Sequence, residues 1–338
     1  MVMRIRVASA GPLVSFQDAG RPGNMRFGVP ASGPMDRVAH AAANSALGNV
    51  PGATAIEVSL GGVVLDVVSG AATIAVAGGE FDVDVHGTAM PSWTAVTVRE
   101  GDRVNVRPGR SGSWTYVACA GELDVPHWLG HAATHSMSGF GGGTLVGGNE
   151  FDVGMPRVAL EREGEIPPPG FRRGAAHVVR VVVGPQERHF EPAAVEAFTT
   201  SAYTLTDAYD RMGVRLDGPS LALAGALSIP SEPVVRGSVQ VTGDGVPTVL
   251  LADHQTTGGY PKIATVIAPD LDRFAQLRAG DQVRFAAVRA DDAVLAARTD
   301  AADVDHYLAS IVLPGRTLSH RLRQQNLIGG AVDPSSER

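Results

Sequence analysis

A chain of 338 residues, 44% hydrophobic and 19% charged, buries a full core and has room for two ordinary domains, which excludes a disordered protein. Its net charge of −7 argues against a general nucleic-acid or anionic-membrane surface, and its single cysteine excludes an intrachain disulfide. With 41 glycines and 22 prolines, turns between short strands are expected rather than long helical runs.

From Met1 to Arg6 the chain leads into a polar, strand-like stretch with no apolar signal core. Two Gly/Pro-rich loops follow, at 15–23 and 28–36, and carry Gln17, Asp18, Arg21, Ser32 and Asp36 just ahead of a helix. That helix opens at Pro34-Met35-Asp36, shows an apolar face at Val38, Ala42, Ala46 and Leu47, and closes at Gly48-Asn49. A helix N-terminus favours anions, yet Asp36 also reads as an N-cap and Asp18 and Arg21 as a structural pair. Spacing by itself favours the structural reading.

Strands are predicted at 63–68, 72–77, 95–98, 104–107 and 114–120, separated by Gly78-Gly79, residues 99–102 and Pro108-Gly109. The most apolar region, 63–79, is interrupted by Asp66, Gly70 and Thr73. It falls short of the roughly 20 residues that span a bilayer, so a soluble, cytoplasmic protein is expected. Cys119, inside an apolar run, reads as a buried strand thiol. His127, His131 and His135 stand four apart, as zinc ligands on a helix do, but Gly130 interrupts them and no acid is interleaved. No metal site is predicted. The Gly139–Gly143 run lacks the Lys-Ser/Thr of a phosphate loop.

A Pro-rich stretch at 161–175 reads as a linker between an N-terminal domain, 1–160, and a C-terminal domain, 176–313, with a polar tail at 314–338. Beyond it, strands are predicted at 178–183, 201–206, 238–241 and 248–252, and helices at 192–198, 270–277 and 291–310. Many short strands in two successive sets predict a mainly β fold with a few helices, organised as two β-barrel-like lobes. The turn Asp210-Arg211-Met212-Gly213 is either a strand end or a site loop, and spacing leaves both open.

The densest polar segment is Asp253-His254-Gln255-Thr256-Thr257-Gly258-Gly259-Tyr260-Pro261-Lys262, directly after the apolar run 249–252. Its hydroxyls, double glycine and lysine are what an oxyanion or phosphate site requires. Asp253 is placed to orient a substrate amide, act as a base or hold Mg²⁺. Lys262 is the sole lysine in the chain, every other basic residue of this class being arginine. A lysine kept in so arginine-biased a sequence suggests a site needing a compact ammonium, where a planar guanidinium would not fit.

These segments together resemble the allophanate hydrolase subunit 2, or biotin-dependent carboxyltransferase, family. The resemblance rests on Gln17-Asp18-x-Gly20-Arg21-x-Gly23, Gly28-Val29-Pro30-x-Ser32-Gly33-x-Met35-Asp36, Ala43-Asn44, Gly48-Asn49 and Glu57. It continues through Gly184-Pro185-Gln186, residues 210–216, Gly237-Ser238-Val239-Gln240 and the 253–264 block, in the family's order from about residue 5 to residue 290. The family's fold is a pair of cyclophilin-like β-barrel domains. The resemblance is closest to the C subunits of ATP-dependent 5-oxoprolinases. It implies ATP, with Mg²⁺, shared with a subunit 1-type partner (the 5-oxoprolinase B subunit), and a lactam-utilisation protein (the A subunit) that completes hydrolysis.

On that basis Lys262, Asp253 and Gln255 are expected in catalysis, Thr256, Thr257, Gly258 and Gly259 with Lys262 at the nucleotide, and Gln17, Asp18, Arg21, Ser32, Arg211, Gln240 and Tyr260 at the substrate. Two alternatives stay open: the carboxyltransferase half of a urea/allophanate-type system, and a regulatory protein that binds a kinase inhibitor of the subunit 1 type. His254 stands where the family usually has arginine, and Thr144 and Asn149 also depart from its pattern. Both departures bear on the substrate more than on the fold.

Overall fold

A computed structural model describes residues 2–172, 177–225 and 228–311. The first strand, Val2–Ala10, shows why the chain folds as sheet: Met3, Ile5 and Val7 turn inward while Arg4 and Arg6 turn out to pair with Asp152 and Glu150. It belongs to an eleven-stranded sheet that forms the first lobe. Two long strands, Ala71–Val85 and Arg103–Cys119, are its spine and pair antiparallel along most of their length.

Here the structure corrects the predicted breaks. The runs at 104–107 and 114–120 are one strand, and Pro108-Gly109 lies within it, not at a turn between two strands. The register shifts twice between Gly78 and Asp82, and such bulged pairing accommodates a proline and closely approaching glycines.

Helix α1 (Arg37–Leu47) lies on this sheet. The Asp36 side chain accepts from the Ala39 amide at 2.9 Å as its N-cap, and Gly48 closes it with φ 64°. Its face of Val38, Ala42, Ala43 and Leu47 packs against the small sheet residues Ala75, Ala77, Ala118 and Ala120. That close approach needs alanines.

The second lobe is a closed seven-stranded barrel, built in spatial order from Val178–Val183, Lys262–Val266, Ser238–Val241, Pro247–Leu250, Gly213–Asp217, Ala202–Tyr209 and Gln282–Ala287. Helices α2 (Pro192–Thr200) and α3 (Ala268–Ala275) flank it, and α4 (Ala290–Ile311) follows its last strand. The mainly β, two-lobed architecture expected from the sequence is present. No helix among the described residues is long and apolar enough to cross a membrane.

The lobes are laced together. Tyr307 and Ile311 of α4 join the core beneath α1, while Met35 and Trp114 of the first lobe join the barrel core. The Pro-rich stretch is a packed strap: Gly164–Glu165 pairs with Thr94 and Ala95, the Pro167 carbonyl accepts from the Tyr307 hydroxyl at 2.9 Å, and Arg172 reaches Asp272 and Asp300. Residues 173–175 of that stretch and the tail at 314–338 lie outside the described residues.

Candidate functional site

The seam between the lobes is organised by Arg211. Asp210 fixes the turn that presents it, accepting from the amides of Met212 at 2.7 Å and Gly213 at 3.2 Å. The Arg211 side chain is fully buried, ion-paired to Glu57 of the first lobe and doubly hydrogen-bonded to Asp253 at 2.9 and 3.0 Å. It also donates to the Gly33 carbonyl at 2.7 Å. Glu57 in turn accepts from the Met35 amide and the Tyr116 hydroxyl, each at 2.8 Å.

Burial alone would raise the Asp253 carboxyl, but Arg211, the Ser136 amide and the Ser32 hydroxyl overcome it and hold the group at about 2. Asp253 is therefore an ionised structural counter-ion at neutral pH, with its oxygens already engaged. Of the three roles open to it from sequence, base chemistry fits least.

Beside this clasp stand the early loops. Gly20 has φ 89°, and a side chain there would press on the Ala31 carbonyl, so glycine lets the 15–23 and 28–36 loops close on each other. Asp18 accepts from the amides of Gly20 at 2.8 Å and Ala132 at 2.7 Å, and His131 Nδ1 lies 3.4 Å away. Gln17 is buried and donates to Ser15 Oγ at 2.9 Å and the Thr134 carbonyl at 3.0 Å. Ser32, at φ 54°, is buried next to Asp253.

Arg21 is wholly buried, donates through Nη2 to the Ala133 carbonyl, and lies 4.7 Å from the centre of the Trp128 ring. His127, His131 and His135 stand on the segment that carries Trp128 and Ala133, with His135 bound to Ser138 at 2.8 Å. Among the described residues no group of three or more His, Cys, Asp or Glu is placed to hold a metal.

Lys262 occupies a second centre, on the barrel. Val239 and Val241 point into the barrel core, so Gln240 between them points to the other face, beside its strand partner Lys262. A two-stranded ribbon flanks this face, Glu232–Pro233 pairing with Thr257–Gly258. Gln240 accepts from Gln255 at 2.7 Å and donates to the Tyr260 carbonyl at 3.4 Å. Gln186 accepts from the Lys262 backbone amide at 2.8 Å and donates to Glu232.

Among the described residues the Lys262 ammonium is buried without a hydrogen-bond partner, and a carboxylate oxygen of Glu232 is 4.0 Å away. Burial lowers its pKa, and Glu232 offsets this only in part. The structure thus divides the 253–262 block. Asp253 faces the seam, whereas Gln255 and Lys262 face the amide cluster. The Thr256 and Gly259 carbonyls are bonded to the Val234 and Ile229 amides, which ties the predicted phosphate loop to the segment opposite, and Tyr260 is exposed.

Sequence reasoning missed Glu232, which no motif announces. It also passed over Gln186 as a site residue, although Gly184-Pro185-Gln186 carried the signal. A further charged knot went unnoticed: Asp272, buried, bridges Arg37 at 2.8 Å and Arg172 at 3.0 Å. Next to it a cleft of about 680 Å³ opens between the lobes, lined by Asp36, Trp93, Arg110, Gln276 and Arg278 among others.

An ATP–Mg²⁺ unit held at the Lys262 cluster alone does not fit the donor set among the described residues. Around Lys262 stand one ammonium, one carboxylate and three carboxamides, with no converging acids for the metal.

The pattern of the carboxyltransferase domain, subdomain A and B, matches residues 27–287. The chain is 32% identical over 269 residues to the 5-oxoprolinase C subunit of Haemophilus influenzae, covering 79% of this chain and 85% of that protein. To the Escherichia coli protein of the same name it is 32% identical over 283 residues, covering 82% and 88%. The urea amidolyase of Lachancea kluyveri is 29% identical over 300 residues, which is 81% of this chain but 16% of that one. The crystal structure of K. lactis urea amidolyase superposes with a TM-score of 0.80 at 25% identity, covering 90% of this chain and 20% of that chain. This chain therefore spans only a fifth or less of those urea amidolyases. Matched through both lobes and across the seam that joins them, the chain belongs to the carboxyltransferase-domain family, subdomains A and B.

Proposed function

We propose that this chain is the C-type subunit of an ATP-dependent 5-oxoprolinase. It holds the lactam while a subunit 1-type partner, the B subunit, takes part in activating it, and the A subunit completes hydrolysis to glutamate. The observation that carries the reading is the Lys262 ammonium, buried without a hydrogen-bond acceptor among the described residues beside the carboxamides of Gln186, Gln240 and Gln255.

Carboxamides match a lactam in kind, each offering one acceptor oxygen and an N–H donor. An ammonium with no hydrogen-bond acceptor among the described residues, its carboxylate partner Glu232 4.0 Å away, favours negative charge developing on the lactam oxygen as the amide is activated. Phosphoryl transfer to such an oxygen needs positioning and charge neutralisation more than covalent help from the protein. ATP is then shared, its metal held by groups outside this cluster.

The test is co-expression with a subunit 1 partner and measurement of ATP hydrolysis with and without 5-oxoproline. Stimulation by the lactam is expected, and Lys262→Met should abolish it while the circular dichroism spectrum and Tm stay near wild type. Equal ATPase rates in both conditions would sink the reading.

A second reading, carboxyl transfer to urea, has the TM-score of 0.80 to a urea amidolyase in its favour. Because Lys262 is the only lysine among these 338 residues and sits in the cluster, biotin would have to be carried outside them. A requirement for a biotin carrier in the same assay separates the two.

A further inference from the structure

We infer that Glu232 selects the substrate: its carboxylate accepts the N–H of the bound amide while Lys262 donates to the carbonyl oxygen of the same amide, so that the site takes lactams and passes over lactones and open-chain trans amides. The inference rests on the reading of Lys262 given above and adds the residue that reads the other end of the amide.

The first ground is where Glu232 stands. It lies on the two-stranded ribbon, outside the barrel strands and directly opposite Gly258. A Cβ at Gly258 would fall 2.3 Å from Gln240 Nε2, so the missing side chain lets the ribbon lie against the amide cluster. Gln186 donates to Glu232 Oε2, the same oxygen that faces Lys262, and so holds the carboxylate in place. The Lys262 side chain is 8% exposed and that of Glu232 48%. The pair thus runs from a buried ammonium to a carboxylate that solutes reach.

The second ground is the gap. Nζ and Oε2 are 4.0 Å apart, too far for a hydrogen bond. In an amide the nitrogen and the carbonyl oxygen share one carbon and stand about 2.3 Å apart. A small ring forces the N–H onto the same side as the C=O, and both groups then point the same way. Two hydrogen bonds of ordinary length, splayed by roughly 20°, join such an amide to Nζ and Oε2 at once. Both bonds are assisted by charge. A trans amide turns its N–H to the opposite side and satisfies only one of the two groups. A lactone sets a ring oxygen against the carboxylate, leaving two acceptors face to face.

The experiment is calorimetric titration of the full chain, co-purified with the subunit 1 partner and without nucleotide. Three probes are used: 5-oxoproline, its lactone isostere 5-oxotetrahydrofuran-2-carboxylate, and N-acetylalanine, which carries the same carboxylate beside a trans amide. Wild type should bind 5-oxoproline at least about tenfold more tightly than either of the others. Glu232→Gln keeps the shape but can turn an N–H toward the lactone, and Glu232→Ala removes the acceptor. In both, the preference for lactam over lactone should fall to about twofold or less.

A wild type that binds lactam and lactone alike, or binds neither, overturns the assignment. So does a preference that survives intact in both Glu232 variants. The two readings fail separately. A preference that depends on Glu232, found without lactam-stimulated ATP hydrolysis, removes the proposed activity and keeps Glu232 as the selector. Stimulated hydrolysis with a preference indifferent to Glu232 does the reverse.

Discussion

Two residues that look alike in the sequence, Asp253 and Lys262, have opposite situations. Asp253 has its oxygens hydrogen-bonded, while the Lys262 ammonium has no hydrogen-bond acceptor among the described residues and only Glu232, 4.0 Å away, for a counter-charge. Satisfied charge is structural and unsatisfied charge is available. Removing Arg211 therefore tests structure. Arg211→Met strands Glu57 and Asp253 as buried carboxylates and should lower unfolding free energy by about 3–5 kcal/mol, seen as a reduced urea midpoint. Acid should weaken the same clasp. The folded Asp253 carboxyl sits near 2, below its ordinary 3.8. Its contribution is complete above the unfolded value and is lost as pH falls from about 4 towards 2.

At the scale of elements, α1 carries the opposite kind of acid. Burial, joined by the nearby Asp272, raises the Asp36 carboxyl to about 6 although it caps the helix and accepts from Gln276 at 2.8 Å. Between about 4 and 6 the folded chain binds the proton that the unfolded chain has lost, so this group subtracts stability as pH rises through that window. Asp36→Asn keeps an acceptor for the cap. The difference in unfolding free energy, variant minus wild type, should move in the variant's favour from pH 4 to pH 7, and a flat difference in urea titrations would contradict the shift.

Elements were the most legible level of the sequence. Alternation found the strand at Ser238–Val241, and capping signals bracketed α1. The strand Arg103–Cys119 was split in reading because Pro108-Gly109 has the chemistry of a turn, and only the bulged pairing across from it shows otherwise. The candidate site was legible as a dense block but not as two centres. Successive side chains of an extended segment diverge, and Glu232 reaches Lys262 only through a ribbon pairing that no local pattern encodes.

Each lobe completes the other's core, so the whole molecule is expected to unfold as one unit. Met35 and Trp114 enter the barrel core, Trp114 donates to the Tyr209 hydroxyl at 3.1 Å, and Tyr307 and Ile311 return beneath α1. All three tryptophans, Trp93, Trp114 and Trp128, precede residue 161, so tryptophan fluorescence reports the first lobe and the seam while far-UV circular dichroism sees both lobes. One cooperative transition, with coincident urea midpoints by the two probes, is the expected behaviour. Tyr307→Ala removes a buried ring and its bond to the Pro167 carbonyl, at a cost of about 3 kcal/mol. Although Tyr307 follows the last barrel strand, the loss should appear equally in fluorescence and circular dichroism. A fluorescence transition that moved while the dichroism split in two would mean that the lobes unfold separately, and that the Arg211 seam is a contact between independent domains.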